Sequence, residues 1–336
     1  MYFSSLQTLR GLFAIMIFFH HFNFMPNEGG IFDAGGDCGV AFFFILSGFV
    51  LAHAYKGRTV IGKPSTTKCG EYMRFIIRRL SKIYPLHLIC LLAAIILKLS
   101  LFAAVVSNVF LLQAWIPLSG WYFSGNAVGW CLSDFLFFYA MFPLLNKQFT
   151  NNRRRFILTF IVLTIVYSFS AYLIPSNFVD GIMYINPLTR ILDFTFGMVL
   201  FGIYDTIDRK KLQLNVVDVL FWLSLSIAMW YLFPSRYNLS LLWWPSIALL
   251  ILYSTIKQNR LLSLRPLVEF GDVSFSFYLI HVLAIQYIDL LFEKAGIPDI
   301  NPFIRLTVIF TVVVAASFII HRGFVIPIEK YIRKRI

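Results

Sequence analysis

The first apolar segment carries two ionisable residues whose spacing suits chemistry inside a membrane. Arg10 and His21 are eleven positions apart in LQTLRGLFAIMIFFHHF. On an α-helix both therefore project from one face, about 16 Å apart along the axis, and His20 points about a quarter of a turn away. A neutral imidazole can accept a proton, and a guanidinium can bind an anion. The structural alternative is an interfacial arginine and a histidine that is hydrogen-bonded between helices.

A basic stretch, EYMRFIIRRLSKIYPLHL, follows the second apolar segment. Arg78, Arg79 and Lys82 are interspersed there with apolar residues, which predicts an amphipathic helix that leads into the third apolar segment. Two interpretations fit this helix. It lies over anionic lipid, or it forms a cationic mouth for a phosphorylated ligand that arrives from the cytosol.

The remaining candidates lie inside apolar segments, where ionisable groups are costly and often functional. They are Ser47, Trp130, Asp134, Tyr139, Tyr278 and His281. Asp134 is a predicted buried acid, whereas Ser47 and its neighbouring glycines would also permit close helix packing without any catalytic role. A single histidine in the middle of a membrane segment, such as His281, is more often structural than catalytic.

The composition indicates that membrane helices position these residues. Hydrophobic residues make up 59% of the chain and charged residues 13%, with a mean hydropathy of +0.76. This is half the charged content of an average soluble domain, about 25%, so lipid must surround much of the surface. We predict an all-α polytopic membrane protein with a bundle of about ten transmembrane helices, forming a single domain over residues 1–336 with no appended soluble domain. The predicted spans are 6–25, 38–55, 83–105, 128–146, 156–174, 187–205, 214–233, 239–256, 273–292 and 302–328.

Basic residues occupy alternate loops of this topology. Segments 56–82, 147–155, 206–213 and 257–266 and the C-terminal tail are basic, whereas the loops between them are acidic or uncharged. Because basic loops are retained on the cytoplasmic side, we predict that both termini are cytoplasmic. The net charge of +13 is then a topology signal and an attraction to anionic lipid, and no nucleic-acid partner is expected.

Five ordered blocks of the sequence resemble the acyltransferase-3 family of integral membrane O-acyltransferases. They are Arg10 followed after ten residues by His21, GVAFFFILSGF at 39–49, RRLSKIYPL at 78–86, WCLSDFLFFYAMFPLL at 130–145 and SFSFYLIH at 274–281. The resemblance implies transfer of an acyl group, usually acetyl from cytosolic acetyl-CoA, to a hydroxyl of a glycan or lipid-linked sugar. The acceptor is often presented on the outer side of a bacterial cytoplasmic membrane. By motif match, His21 and Arg10 take the family's essential histidine and arginine positions, and Arg79 takes an arginine of the third-span block.

Two positions depart from the family pattern. The third-span block commonly reads Arg-x-x-Arg, whereas this chain has Arg79 and Lys82, and lysine keeps the charge but loses the bidentate geometry of arginine. Phe135 stands where a glutamate is expected. Asp134, one residue earlier, is a possible substitute, although it lies about 100° away around a helix.

The resemblance leads to a mechanism in which His21 is the general base on the acceptor hydroxyl. The cations that would hold the phosphates of acetyl-CoA are Arg10, Arg78, Arg79 and Lys82. An acyl-His21 intermediate is the competing mechanism. Two other functions remain open, a transporter that uses the same buried groups and a family-related protein that binds a ligand without catalysis. No metal is expected, because the four cysteines have no metal-ligand spacing.

Overall fold

The apolar segments fold as helices, because a backbone in lipid has to satisfy its hydrogen bonds within the segment. The computed structural model describes residues 3–24, 32–58, 60, 68–97, 102–208, 214–232, 240–257, 259–297 and 300–335, with the backbone alone at 68 and 69. These residues form helices joined by turns and contain no strand. The α-helices are α1 Ser4–His21, α2 Ala34–Ala54, α3 Lys68–Leu97, α4 Phe102–Val109, α5 Ser119–Tyr122, α6 Trp130–Asn151, α7 Arg153–Leu173, α8 Ser176–Val179, α9 Pro187–Thr206, α10 Val216–Leu232, α11 Trp244–Ile256, α12 Arg265–Lys294, α13 Pro302–Ile320 and α14 Ile326–Lys334.

Seven helical segments of the described chain are long and apolar enough to cross a membrane. They are Ala34–Ala54, Gly70–Leu97, Ala127–Asn151, Arg153–Leu173, Ser176–Thr206, Arg265–Lys294 and Pro302–Lys334, and two shorter apolar helices are Val216–Leu232 and Ser240–Ile256. The all-α membrane architecture is thereby confirmed, and each of the ten predicted spans overlaps a helix. The count of ten and the cytoplasmic position of both termini stay predictions. Within the basic segments, residues 59, 61–67, 209–213, 258 and 336 lie outside the described residues.

Several helix boundaries differ from the predicted spans. The third span was placed at 83–105, but α3 already begins at Lys68 and ends at Leu97, residues 98–101 lie outside the described residues, and α4 begins at Phe102. α12 likewise begins at Arg265, eight residues before the predicted ninth span. A hydropathy window stops at charged residues, whereas a helix continues through them because long basic side chains reach water from the interface.

α2 and α9 pack side by side in the centre of the bundle and run in the same direction. Phe44 of α2 lies under the guanidinium of Arg190 at the start of α9. Further along both helices, Phe49 packs against Phe201. The contacts thus advance together, which only parallel helices allow. α7 and α13 lie further out and expose many apolar side chains, as lipid-facing helices do.

The parallel pair depends on the absence of a side chain at Gly48. A Cβ added to Gly48 would lie 1.9 Å from the carbonyl oxygen of Phe194, which is backbone and cannot move aside cheaply. We expect Gly48→Ala to lower the free energy of unfolding by about 1–3 kcal/mol, the usual cost of overpacking, as measured by thermal unfolding in detergent. Gly120→Ala is the matched control, because nothing lies within 4 Å of a Cβ there. Equal unfolding temperatures for the two variants would contradict this account of the contact.

Candidate active site

Two histidines from distant parts of the chain meet where α1 ends. His21 is the last residue of α1, which ends four residues before the end of the predicted span 6–25. His281 lies within α12 and is fully buried. Its Nε2 is 3.3 Å from Nδ1 of His21, and the ring centroids are 5.0 Å apart. His281 is therefore a direct neighbour of the predicted base.

A close contact between α1 and α12 places the two histidines next to each other. Gly11 and Gly271 face each other, and a Cβ on Gly271 would lie 1.9 Å from the carbonyl oxygen of Gln7. Each glycine precedes its histidine by ten residues on its own helix, or about 15 Å. Because the two helices run parallel from the glycine contact, His21 and His281 arrive at the same height.

Two backbone carbonyl groups determine which ring nitrogen of each histidine carries the hydrogen. Nδ1 of His21 is 2.9 Å from the carbonyl oxygen of Ile17, and Nδ1 of His281 is 2.6 Å from that of Tyr278. A carbonyl oxygen only accepts, so each Nδ1 carries a hydrogen and each neutral ring keeps its lone pair on Nε2. Nε2 of His281 can then accept from Nδ1 of His21. The lone pair on Nε2 of His21 is left to act as a base.

Arg305 holds the chain directly after His21. Its Nε and Nη2 donate to both carboxylate oxygens of Asp289, at 2.6 and 2.7 Å, and its Nη1 donates to the carbonyl oxygen of Asn23 at 2.6 Å. The guanidinium also lies 4.6 Å from the ring centroid of Phe22. A bidentate, charge-assisted pair has a fixed geometry. The end of α1 is thereby tied to α12 and α13, which limits the positions that the His21 ring can take.

A cationic cluster lies toward the other end of α1. Lys82 interacts electrostatically with both Arg79 and Arg10. The guanidinium of Arg79 lies 5.3 Å from the ring centroid of Phe75, and its buried Nε has no hydrogen-bond partner. Nη1 of Arg10 donates to Oε1 of Gln7 at 3.0 Å. Concentrated positive charge with an unused buried donor suits the binding of a phosphate.

Of three further candidates, Tyr139 and Ser47 belong to this cluster, whereas Arg78 does not. Tyr139 forms a side-chain hydrogen bond with Ser47 and interacts electrostatically with Arg79 and Arg10. Ser47 therefore does more than leave room for a neighbouring helix. Arg78 is exposed, and as the neighbour of Arg79 it points about 100° away around α3. Its role as a phosphate ligand stays a prediction.

Asp134 lies beside a buried ion pair that the sequence analysis did not assign to the site. Nη1 of Arg190 is 3.0 Å from Oδ2 of Asp193, and both side chains are 1% exposed. Nε1 of Trp244 donates to Oδ1 of Asp193 at 2.6 Å. Asp134 interacts electrostatically with Arg190, and neither of its carboxylate oxygens has a hydrogen-bond partner. Opposite charges three positions apart in an apolar helix were the available signal for this pair.

Two aromatic residues of the fourth block pack on the ring of Phe44. Phe135, at the family's glutamate position, lies 5.1 Å from Phe44, and Trp130 lies 6.4 Å from it, both edge-to-face. Position 135 therefore contributes an aromatic contact between α6 and α2. That Asp134 takes the role of the family's glutamate stays a prediction.

Tyr278 supports His281 through its backbone and α6 through its side chain. Its hydroxyl donates to the carbonyl oxygen of Val128 at 2.9 Å and is 2.9 Å from Sγ of Cys131. Its own carbonyl oxygen holds Nδ1 of His281. These contacts fit a residue that positions the histidine pair.

A polar and aromatic group beside the histidines was also missed from the sequence. Oδ2 of Asp37 accepts from Nε1 of Trp230 at 2.8 Å, and the carboxylate also bonds Tyr184 and interacts electrostatically with His20. All four side chains are partly exposed. Nδ1 of His20 itself is 2.8 Å from the carbonyl oxygen of Asp33. Asp37 directly precedes the predicted second span, so no hydropathy signal marked it.

The arrangement separates the cationic cluster from the His21 ring. Arg10 and His21 belong to one unbroken helix, so about 16 Å lies between the cations and the base. Within the described ranges, no group of three or more His, Cys, Asp or Glu side chains could hold a metal ion. The site can therefore bind an anionic group at one end and accept a proton at the other.

Comparisons with known proteins point to one class of enzyme. A family model for an acyltransferase domain, acyltransferase-3, matches residues 3–322. The acyltransferase MdmB of Streptomyces mycarofaciens is 29% identical over 280 residues, which cover 75% of this chain and 69% of that protein. No solved structure matches the chain.

Proposed function

Since this chain belongs to the acyltransferase-3 family and is a multi-pass membrane acyltransferase, we propose that it moves an acetyl group from cytosolic acetyl-CoA to a hydroxyl of a glycan or lipid-linked saccharide. The proposed location is the cytoplasmic membrane of a bacterial cell. Membership of an acyltransferase family counts against the transporter and the non-catalytic ligand binder.

The histidine pair is the observation that carries the proposal. The Nδ1–H group of His21 donates a hydrogen bond to the carbonyl oxygen of Ile17 and to Nε2 of His281. The free lone pair of His21 is therefore on Nε2. Removing a proton from an alcohol requires such a base within hydrogen-bond reach. We assign this role to His21 and the orientation of His21 to His281 and Arg305.

The cationic cluster supports an acyl-CoA donor. Arg10, Arg79 and Lys82 would hold donor phosphates, and the pantetheine arm would extend from them toward His21. Because Lys82 is a point charge where the family commonly has a bidentate arginine, Arg79 carries more of the orientation of the phosphate.

The group beside the histidines supports a sugar acceptor. A carboxylate can accept hydrogen bonds from sugar hydroxyls, and indole and phenol rings offer flat apolar faces for a sugar ring. Asp37, Tyr184 and Trp230 supply these features next to His20.

The proposed reaction balances as follows. The acceptor hydroxyl gives its proton to Nε2 of His21, and its oxygen forms a bond to the carbonyl carbon of the thioester. The carbon–sulfur bond breaks, and the proton passes from His21 to the sulfur. The products are an acetyl ester and the thiol of CoA.

The proposal is tested by mass spectrometry of cell-surface glycans from cells with and without the gene. We expect glycans that carry one additional acetyl group only when the gene is present, and the position of that group identifies the acceptor. Purified protein in lipid nanodiscs should then transfer label from acetyl-CoA to the same glycan. Identical glycans in both strains, together with no transfer in vitro, would refute the proposed acetyl transfer.

A further inference from the structure

The last helix of the described chain packs against the cationic cluster and places a carboxylate in it. α14 lies along α3, and Oε1 of Glu329 is 3.7 Å from Nζ of Lys82 and 3.0 Å from Nη2 of Arg333. Two cations therefore share one carboxylate oxygen. The side chain of Glu329 is 18% exposed, whereas Lys82 and Arg333 are 48% and 47% exposed. The acid is thus the inner member of the group.

The electrostatic surroundings connect Glu329 to the proposed donor site. Lys82 interacts with Arg333 and also with Arg79 and Arg10. Lys82 therefore connects the pair of Glu329 and Arg333 to the other two cations of the proposed donor site. Arg333 comes from the basic C-terminal tail, whose charge the sequence indicates to be a topology signal and an attraction to anionic lipid.

We propose that Arg333 is a further ligand of the donor phosphates and that Glu329 is an internal anion that competes with those phosphates for Lys82 and Arg333. The inference rests on the proposed function, because it extends the same donor site. Both cations that pair with Glu329 are about half-exposed, and ion pairs open to solvent contribute little, so Glu329 can be displaced. A phosphate has more charge and more acceptor oxygens than a carboxylate and forms stronger charge-assisted hydrogen bonds. The two residues therefore affect donor affinity in opposite directions.

The test measures the binding of coenzyme A to the purified full chain by titration calorimetry. We expect Glu329→Gln to tighten binding about 3- to 10-fold and Arg333→Gln to weaken it about 3- to 10-fold, the range of one partly exposed ion pair. Both effects should be lost with pantetheine, which has no phosphate. In acetyl transfer, Glu329→Gln should lower KM for acetyl-CoA and leave kcat unchanged.

Matched controls use charges at the same end of the bundle that do not belong to this group. Glu269 also bridges two arginines, Arg265 at 2.7 Å and Arg322 at 3.2 Å, so Glu269→Gln removes a comparable carboxylate. Lys334→Gln removes a charge next to Arg333. We expect both controls to bind coenzyme A within about twofold of the unaltered protein.

The outcomes separate the two proposals. If the unaltered protein binds coenzyme A and transfers acetyl, but Glu329→Gln has the same or weaker affinity, the competing role of Glu329 is overturned. If Arg333→Gln does not weaken binding, the role of Arg333 as a phosphate ligand is overturned. If the unaltered protein does not bind coenzyme A, the acyl-CoA donor and this inference fail together. The unfolding temperature of each variant is measured alongside, and Arg333→Gln gives an independent result if Glu329→Gln is unstable.

Discussion

His21→Gln is expected to slow acetyl transfer by about 10²- to 10⁴-fold, the usual contribution of a general base. Glutamine retains a polar side chain but does not accept a proton near neutral pH. The affinity for coenzyme A should stay unchanged, because the cationic cluster lies about 16 Å away along α1. The measurement is kcat for transfer from acetyl-CoA in nanodiscs, with calorimetry for donor binding. His21→Gln activity within about tenfold of the unaltered protein would rule out His21 as the base.

His20→Gln is the matched control for this prediction. It changes the adjacent residue to the same side chain, and His20 is held by the Asp33 carbonyl and not by His281. We expect a smaller loss, confined to acceptor KM, because His20 lies near Asp37. Incubation with labelled acetyl-CoA and no acceptor distinguishes the competing mechanism, since a label covalently bound to His21 would favour the acyl-His21 intermediate.

The sequence predicted local features of the site better than its long-range contacts. Arg10 and His21 could be placed on one helix face because they belong to one helix of known pitch. The same geometry separates Arg79 from Arg78, which the sequence analysis had grouped together. The contact between His21 and His281 joins positions 260 residues apart, and helix periodicity contains no information about such a pair.

The positions of whole helices were the harder part. The predicted spans identified apolar segments, but α3 continues back to Lys68 through residues that a hydropathy window rejects. Likewise, the basic tail was interpreted as a topology signal, because nothing in its sequence indicates that Glu329 reaches Lys82. Packing of one helix on another determines both where α3 begins and which residue Glu329 contacts.

Arg190→Met is expected to lower the free energy of unfolding by about 3–5 kcal/mol, the usual cost of removing one partner from a buried ion pair. Both members are 1% exposed, so the buried Asp193 would lose its nearest cation. Asp134 would lose the same neighbour. The measurement is chemical or thermal unfolding of the purified protein in detergent.

Arg265→Met is the matched control, because Arg265 also pairs with an acid on its own helix but its side chain is 90% exposed. Exposed pairs contribute about 0–1 kcal/mol, so this variant should unfold almost like the unaltered protein. A double variant, Arg190→Met with Asp193→Asn, should recover part of the loss, because it removes the unpaired carboxyl group and the asparagine oxygen can still accept from Trp244. If Arg190→Met is no more destabilising than Arg265→Met, the buried ion pair within α9 does not stabilise the fold. Aromatic packing around Phe44 and the backbone contact at Gly48 would then have to hold the parallel pair.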